Sequence, residues 1–200
     1  MKVVLLGNYS VGKSSICHRI VKGHYIDNSE STIGAGYYSL NFKYYNVTEI
    51  EYSIKMDIWD TSGQEKYRSI SHLYYHNANI IILVFDLTDQ NSFNDIKYWV
   101  SEIKRNMTEI DDKNIYIVGN KRDAIEFTFY DKSVEEMYPN FKYFKVSAKT
   151  NEGIIELISD IKNNLKETYE INMTLGLDNS STLLLPYKNK SRSKKCCSII

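Results

Sequence analysis

Residues 7–14 read Gly-Asn-Tyr-Ser-Val-Gly-Lys-Ser and follow a short apolar run, Lys2–Leu6. A buried strand that enters a glycine turn and continues into a helical pattern, Lys13 to about Lys22, leaves few architectures open. Such a loop turns successive backbone N–H groups toward one point, and the helix start adds the positive end of its dipole. The amides of Ser10, Val11, Gly12, Lys13 and Ser14, with Ser15 just beyond, are therefore expected to wrap a phosphate. Lys13 is expected to reach the outer phosphates and Ser14 to bind Mg2+. Tyr9 is bulky where these loops usually carry something small, but the four middle positions are formally free, so the pattern stands.

The bulk properties fit one domain with a full core. The chain has 200 residues, a formal net charge of zero and 42% hydrophobic residues. Zero net charge supplies no whole-protein field for nucleic acid, so no nucleic-acid partner is expected, and the chain reads as a monomer. No stretch approaches the ~18 apolar residues of a membrane span. The start, "MKVVLLGN", is too short and lacks the cleavage site of a signal peptide, which predicts a cytoplasmic protein. Asn46, Asn106, Asn172 and Asn179 each begin an Asn-X-Ser/Thr match, which then reads as coincidence. Cys17 falls inside the first helical pattern as a small hydrophobe. Cys196 and Cys197 lie side by side, which is no disulfide framework.

Alternation and apolar runs predict further strands at 38–45, 50–59, 79–85, 114–118 and 143–146. The polar link Asn46–Glu49 makes the first two of these a hairpin. Helical spacing predicts helices at 91–108, 133–138 and 151–168. Together these give a three-layer α/β fold: a six-stranded, mostly parallel sheet with one antiparallel edge strand and helices on both faces. The pattern stops near Glu170, dividing the chain into a domain, 1–169, and a flexible tail, 170–200. Strand parity puts Tyr37 and Trp59 on the outer face of the hairpin, where clustered aromatics mark a docking surface.

Two more motifs define the chemistry. "GNKRD", 119–123, leaves a buried strand where ligands collect in such folds. Asp123 can accept from two adjacent N–H donors on one base edge, an arrangement guanine offers and adenine does not. In "WDTSGQE", 59–65, Asp60 ends a strand and suits a Mg2+ site, and Gly63 lets its N–H approach a γ-phosphate.

With "SAK" at 147–149, these segments resemble the Ras superfamily of small GTPases over about residues 1–168. The resemblance implies a P-loop GTPase domain that binds GTP and GDP with Mg2+ and hydrolyses GTP. It implies that Asn120 and Asp123 hold guanine and that Lys121 packs on the base. It assigns the backbone of Ala148, beside Ser147, to the base oxygen, Lys149 to the base plane, and Tyr25 to shielding the base edge. Gln64 corresponds to the residue that orients the attacking water, and Thr32 to the switch threonine on Mg2+. Segments 24–37 and 61–75 should then loosen when the γ-phosphate is lost.

"STIGAGYYS", "KMDIWDTSGQEKYRSI" and "YYHNA" are similar to signature segments of the Rab family, and "IGAGYY" resembles its early-endosomal branch. Tyr37, Trp59 and Tyr74 match an aromatic triad that contacts effectors. His76-Asn77, Ser62 and Ala124 depart from the usual residues without removing a nucleotide contact. "CCSII" resembles the double-cysteine ends that receive geranylgeranyl groups on Cys196 and Cys197, and two chains anchor stably where one does not. Lys188, Lys190, Arg192, Lys194 and Lys195 would add about 1 kcal/mol each at an anionic leaflet. A flexible 170–195 segment would reach roughly 30 Å. "TLLLPY" lies where Rab proteins dock the escort that presents the tail.

The resemblance thus implies a switch in vesicle traffic on the cytosolic face of endosomal or other vesicle membranes. Its partners would be an exchange factor, a GTPase activator, escort or dissociation-inhibitor proteins and effectors. By the same resemblance, Tyr9 sits beside the γ-phosphate, where bulk obstructs Gln64 or an incoming arginine. Slow intrinsic hydrolysis is therefore expected. The competing readings are a GTP-binding, effector-recruiting module with little hydrolysis, and an ATP-using enzyme, against which Asp123 argues.

Overall fold

The computed structural model describes residues 1–27, 30–45, 49, 51–124 and 130–175. Six strands form one sheet: β1 (Lys2–Leu6), β2 (Ala35–Tyr45), β3 (Glu51–Thr61), β4 (Ile80–Asp86), β5 (Ile115–Asn120) and β6 (Lys142–Lys145). Their order is β2-β3-β1-β4-β5-β6. Only β2 is antiparallel to its neighbour, pairing with β3 from Ala35↔Thr61 to Tyr45↔Glu51. The expected edge hairpin is there, although most of its link, residues 46–48 and 50, lies outside the described residues.

The helices are α1 (Lys13–Lys22), α2 (Ser71–Tyr75), α3 (Gln90–Asn94), α4 (Ile96–Asn106), α5 (Tyr130–Met137) and α6 (Ile154–Leu175). Strand alternation divides the core in two. Val3 and Leu5 of β1, with Ile80, Ile82 and Val84 of β4, pack against α1 and α6. Val4 and Leu6, with Ile81, Leu83 and Phe85, face the other way toward α2, α3, α4 and α5. Uniformly apolar strands are what a sheet covered on both faces requires.

Several boundaries differ from the sequence reading: β2 starts at Ala35, α5 at Tyr130 and α6 at Ile154, and α2 is not among the expected helices; two further differences are larger. The single helix expected over 91–108 is broken at Asp95 into α3 and α4. The carboxylate of Asp95 there accepts from Asn8 Nδ2 at 2.9 Å and from Arg68 Nη2 at 3.2 Å, contacts no local pattern foretells. The last helix does not stop near 168 but runs to Leu175. Its extra turns are held from outside: the Tyr169 ring stacks on Tyr52 at 5.3 Å, and Tyr52 Oη donates to Glu170 Oε1 at 2.9 Å. These contacts reach as far as Glu170; Ile171, Met173 and Leu175 beyond it are exposed. Residues 176–200, including "TLLLPY", the basic cluster and both terminal cysteines, lie outside the described residues. Among the described residues no helix is long and apolar enough to cross a membrane.

A candidate nucleotide-binding site

All the parallel strands point their C-terminal ends at one edge of the sheet, and a cavity of about 470 Å3 opens there. The order reverses beside β1, with β3 on one side and β4 on the other, the crevice where α/β sheets bind ligands. Its wall includes Ser10, Gly12, Lys13, Ser14 and Ser15 from the first loop, and Tyr25 and Thr32 from the next. Gly63 follows β3, Asn120 ends β5 with Lys121 and Asp123 just after it, and Ala148 and Lys149 follow β6. Five segments far apart in sequence therefore meet on one wall. Val11, Asp60, Gln64 and Ser147 do not line the cavity.

At one end the wall is tied by side chains. Asn120 is buried; its Nδ2 donates to Val11 O at 3.0 Å and its Oδ1 accepts from Ala148 N at 3.1 Å. Asn120 thus ties the first loop to the last one, which gives it a supporting task beyond the direct base contact expected from sequence. Ser147 Oγ donates to Asp123 Oδ1 at 2.6 Å, aiming the carboxylate from behind. Lys121, in a left-handed conformation, pairs its amine with Asp86 at 2.6 Å. Arg19, which sequence reasoning missed, donates from Nε to Ala148 O at 2.9 Å and from Nη2 to Lys149 O at 2.7 Å. Its only sequence signal is a basic residue in the last turn of α1.

The other end is charged and incompletely satisfied. Lys13 is 5% exposed, and its amine donates to Gly7 O at 2.9 Å and Asn8 O at 2.7 Å. Burial lowers its pKa to about 8, with Asp60 opposing the shift. Asp60, also buried, has its pKa raised by desolvation, although Lys13 and nearby hydroxyls pull the other way. Thr32 Oγ1 lies 2.9 Å from Ser14 Oγ and donates to Asp60 Oδ2 at 3.3 Å, while Asp60 Oδ1 has no hydrogen-bond partner. A buried ammonium and a buried carboxylate with one unpartnered oxygen, each with its charged form disfavoured by burial, suit phosphate and a hard divalent ion together. Two hydroxyls and one carboxylate oxygen are the donors Mg2+ prefers, with phosphate completing the set.

Glycine is required at two points of this wall. A Cβ on Gly12 would fall 2.2 Å from Asn120 Nδ2, and one on Gly63 would fall 2.2 Å from Asn8 O and 2.5 Å from Lys13 Nζ. Gln64 stands beside the cavity, its backbone N–H on Ser62 Oγ at 3.3 Å, at the start of a 3₁₀ turn over Glu65–Ile70. Tyr9 lies at the mouth, and its hydroxyl is 3.3 Å from Ser31 Oγ, so it reaches the segment before Thr32. On the outer face, Tyr37 and Trp59 meet edge-on at 5.4 Å, and Trp59 lies 6.2 Å from Tyr74. Tyr37 is exposed, while Trp59 is half-buried against the second core with Lys2 over its ring.

A six-stranded α/β sheet carrying this glycine-rich loop and this hydroxyl–carboxylate cluster defines a P-loop nucleotide-binding domain. The sequence model of the Ras family matches residues 2–167. The GTP-binding protein ypt5 of Schizosaccharomyces pombe is 37% identical over 98% of this chain and 92% of its own length. The GTP-binding protein YPT52 of Saccharomyces cerevisiae is 38% identical over 80% of this chain and 79% of its own. The Ras-related protein Rab-5A of Dictyostelium discoideum is 33% identical over 98% and 94%. The chain belongs to the Ras family, among its Rab-type small GTPases, which bind GTP and GDP with Mg2+, hydrolyse GTP and regulate vesicle traffic.

Proposed function

We propose that this chain works as a membrane-tethered Rab switch whose cavity holds guanine at the 120–123 and 147–149 end and phosphates at the 10–15 end. The observation that carries this reading is the junction of Asp123, Lys13, Thr32 and Gly63 on one wall. Asp123 takes the two N–H groups of guanine, held in place by Ser147, and Lys121, Lys149 and Tyr25 enclose the base. The amides of 10–14 and the Lys13 ammonium take the β- and γ-phosphates. Ser14, Thr32 and Asp60 would hold Mg2+, which would supply charge neutralisation for the phosphates. Gly63 N–H meets the γ-phosphate. Gln64 swings in from the 65–70 turn to orient water, so catalysis is positioning and charge stabilisation. An activator protein raises the rate by ~10³–10⁵.

Tyr37, Trp59 and Tyr74 form the effector surface. Geranylgeranyl groups on Cys196 and Cys197, with the basic cluster before them, hold the protein on the cytosolic face of endosomal or other vesicle membranes. The exchange of fluorescent GDP tests the site: excess GTP displaces it and excess ATP does not. Displacement by ATP would end the guanine assignment. For the anchor, a tagged Cys196→Ser/Cys197→Ser chain should leave the membranes that the unaltered chain occupies; retention would refute lipid attachment.

A further inference from the structure

Two adjacent residues of the first loop, Asn8 and Tyr9, are each tied to a different switch segment. Asn8 is fixed from one side: its Nδ2 donates to Asp95 at 2.9 Å and its Oδ1 accepts from Arg68 Nη2 at 3.1 Å. Arg68 is itself held, with its guanidinium 4.7 Å from the Tyr98 ring and 5.4 Å from the Trp99 ring. The carbonyls of Gly7 and Asn8 are taken by Lys13. Tyr9 thus leaves a backbone pinned on two sides, and its ring, 55% exposed, extends along the cavity mouth to Ser31. Ser31 adjoins Thr32, which closes back onto Ser14 and Asp60. Two residues on, Gly34 O accepts from Ser62 N at 2.8 Å.

We infer that the Tyr9–Ser31 hydroxyl pair is a clasp that positions Thr32 and slows nucleotide release while segment 24–37 is closed over the cavity. The inference rests on the cavity taking a guanine nucleotide with Mg2+, as proposed above. Segment 30–34 has three attachments, and two of them, Thr32 to Ser14 and Asp60 and Gly34 to Ser62, run through residues assigned to Mg2+ or adjoining the γ-phosphate contact. The Tyr9–Ser31 pair uses neither ion nor phosphate. Tyr9 here acts through its hydroxyl, a role separate from the bulk that obstructs hydrolysis. Tyr9→Phe separates the two, because it keeps the ring and deletes the oxygen.

The test measures release of fluorescent GDP and GTP analogues from the full chain, for the unaltered protein, Tyr9→Phe, Ser31→Ala and the double variant. A net hydrogen bond of about 0.5–1.5 kcal/mol corresponds to about two- to tenfold faster release in each single variant. The double variant should release no faster than either single one, because both delete one interaction. The Mg2+ concentration needed to slow release should rise by the same factor, since the clasp acts through Thr32; a general loss of packing would not track Mg2+ this way. Unaltered release from Tyr9→Phe overturns the clasp while leaving the nucleotide assignment intact. So does a double variant whose effect is the product of the two singles. Failure of the unaltered protein to take up either analogue overturns the assignment and the clasp together.

Discussion

The two ends of the cavity are built on opposite plans. At the base end the polar side chains are satisfied within the protein: Asn120 by Val11 and Ala148, Asp123 by Ser147, and Lys121 by Asp86. At the phosphate end, Lys13 and Asp60 are buried with their charged forms disfavoured, and an oxygen of Asp60 has no partner. Fully satisfied networks hold one geometry, whereas a site completed by its ligand changes when the ligand changes. In the proposed function, the base end reads identity and the phosphate end reads state.

The largest effect that would break this contrast lies at the base end. Asp123→Ala should weaken GDP binding by about a hundredfold or more and erase the preference for GTP over ATP, because two charge-assisted bonds to the base edge vanish. Competition titrations with both nucleotides check it. Asn120→Ala strips hydrogen bonds from the buried Val11 carbonyl and Ala148 amide. It should cost about 2–4 kcal/mol, read as a drop in unfolding free energy by denaturant titration. If the base end is not preorganised by Asn120, that cost shrinks toward the value of an exposed substitution.

At the phosphate end, Gly63→Ala should leave GDP affinity within a few-fold but blunt the difference between GDP and GTP complexes. The added Cβ must push the segment off Asn8 and Lys13. Limited proteolysis of segment 61–75 in each nucleotide state reports this. Tyr9→Gly should speed single-turnover GTP hydrolysis by on the order of tenfold, as obstruction near the reacting water is lifted; equal rates would remove bulk as the cause of slow turnover. The smallest effect is a null one. Cys17 is fully buried and its thiol pKa is pushed far up by desolvation, so a Cys196→Ser/Cys197→Ser chain should take up no thiol reagent until it unfolds.

Much of the site was legible in the sequence because its chemistry is local. Gly7–Ser14, Asp60–Gln64, Asn120–Asp123 and Ser147–Lys149 each place a backbone turn and its functional side chain within a few residues. The residues that support them were not legible. Arg19 gave no signal of its contact with Ala148 and Lys149, because the partners lie 129 and 130 positions away. The break at Asp95 and the extension of α6 to Leu175 escaped as well, and Asp95 and Tyr169 meet Asn8, Arg68 and Tyr52 from distant elements. Gln64 shows the converse, a motif residue that folding leaves beside the cavity and off its wall.

By itself, then, the sequence determined the sheet, through apolar runs and alternation, and the motifs, through short-range backbone chemistry. Only the tertiary structure decided that Asn120 serves as a tie across loops, that Trp59 is half-buried between Tyr37 and Tyr74, and that Tyr9 reaches Ser31. The physical reason is range. Local propensity and hydrogen-bonding pattern act over a few residues, whereas hydroxyl, amide and ring contacts depend on where the packed core brings distant segments together.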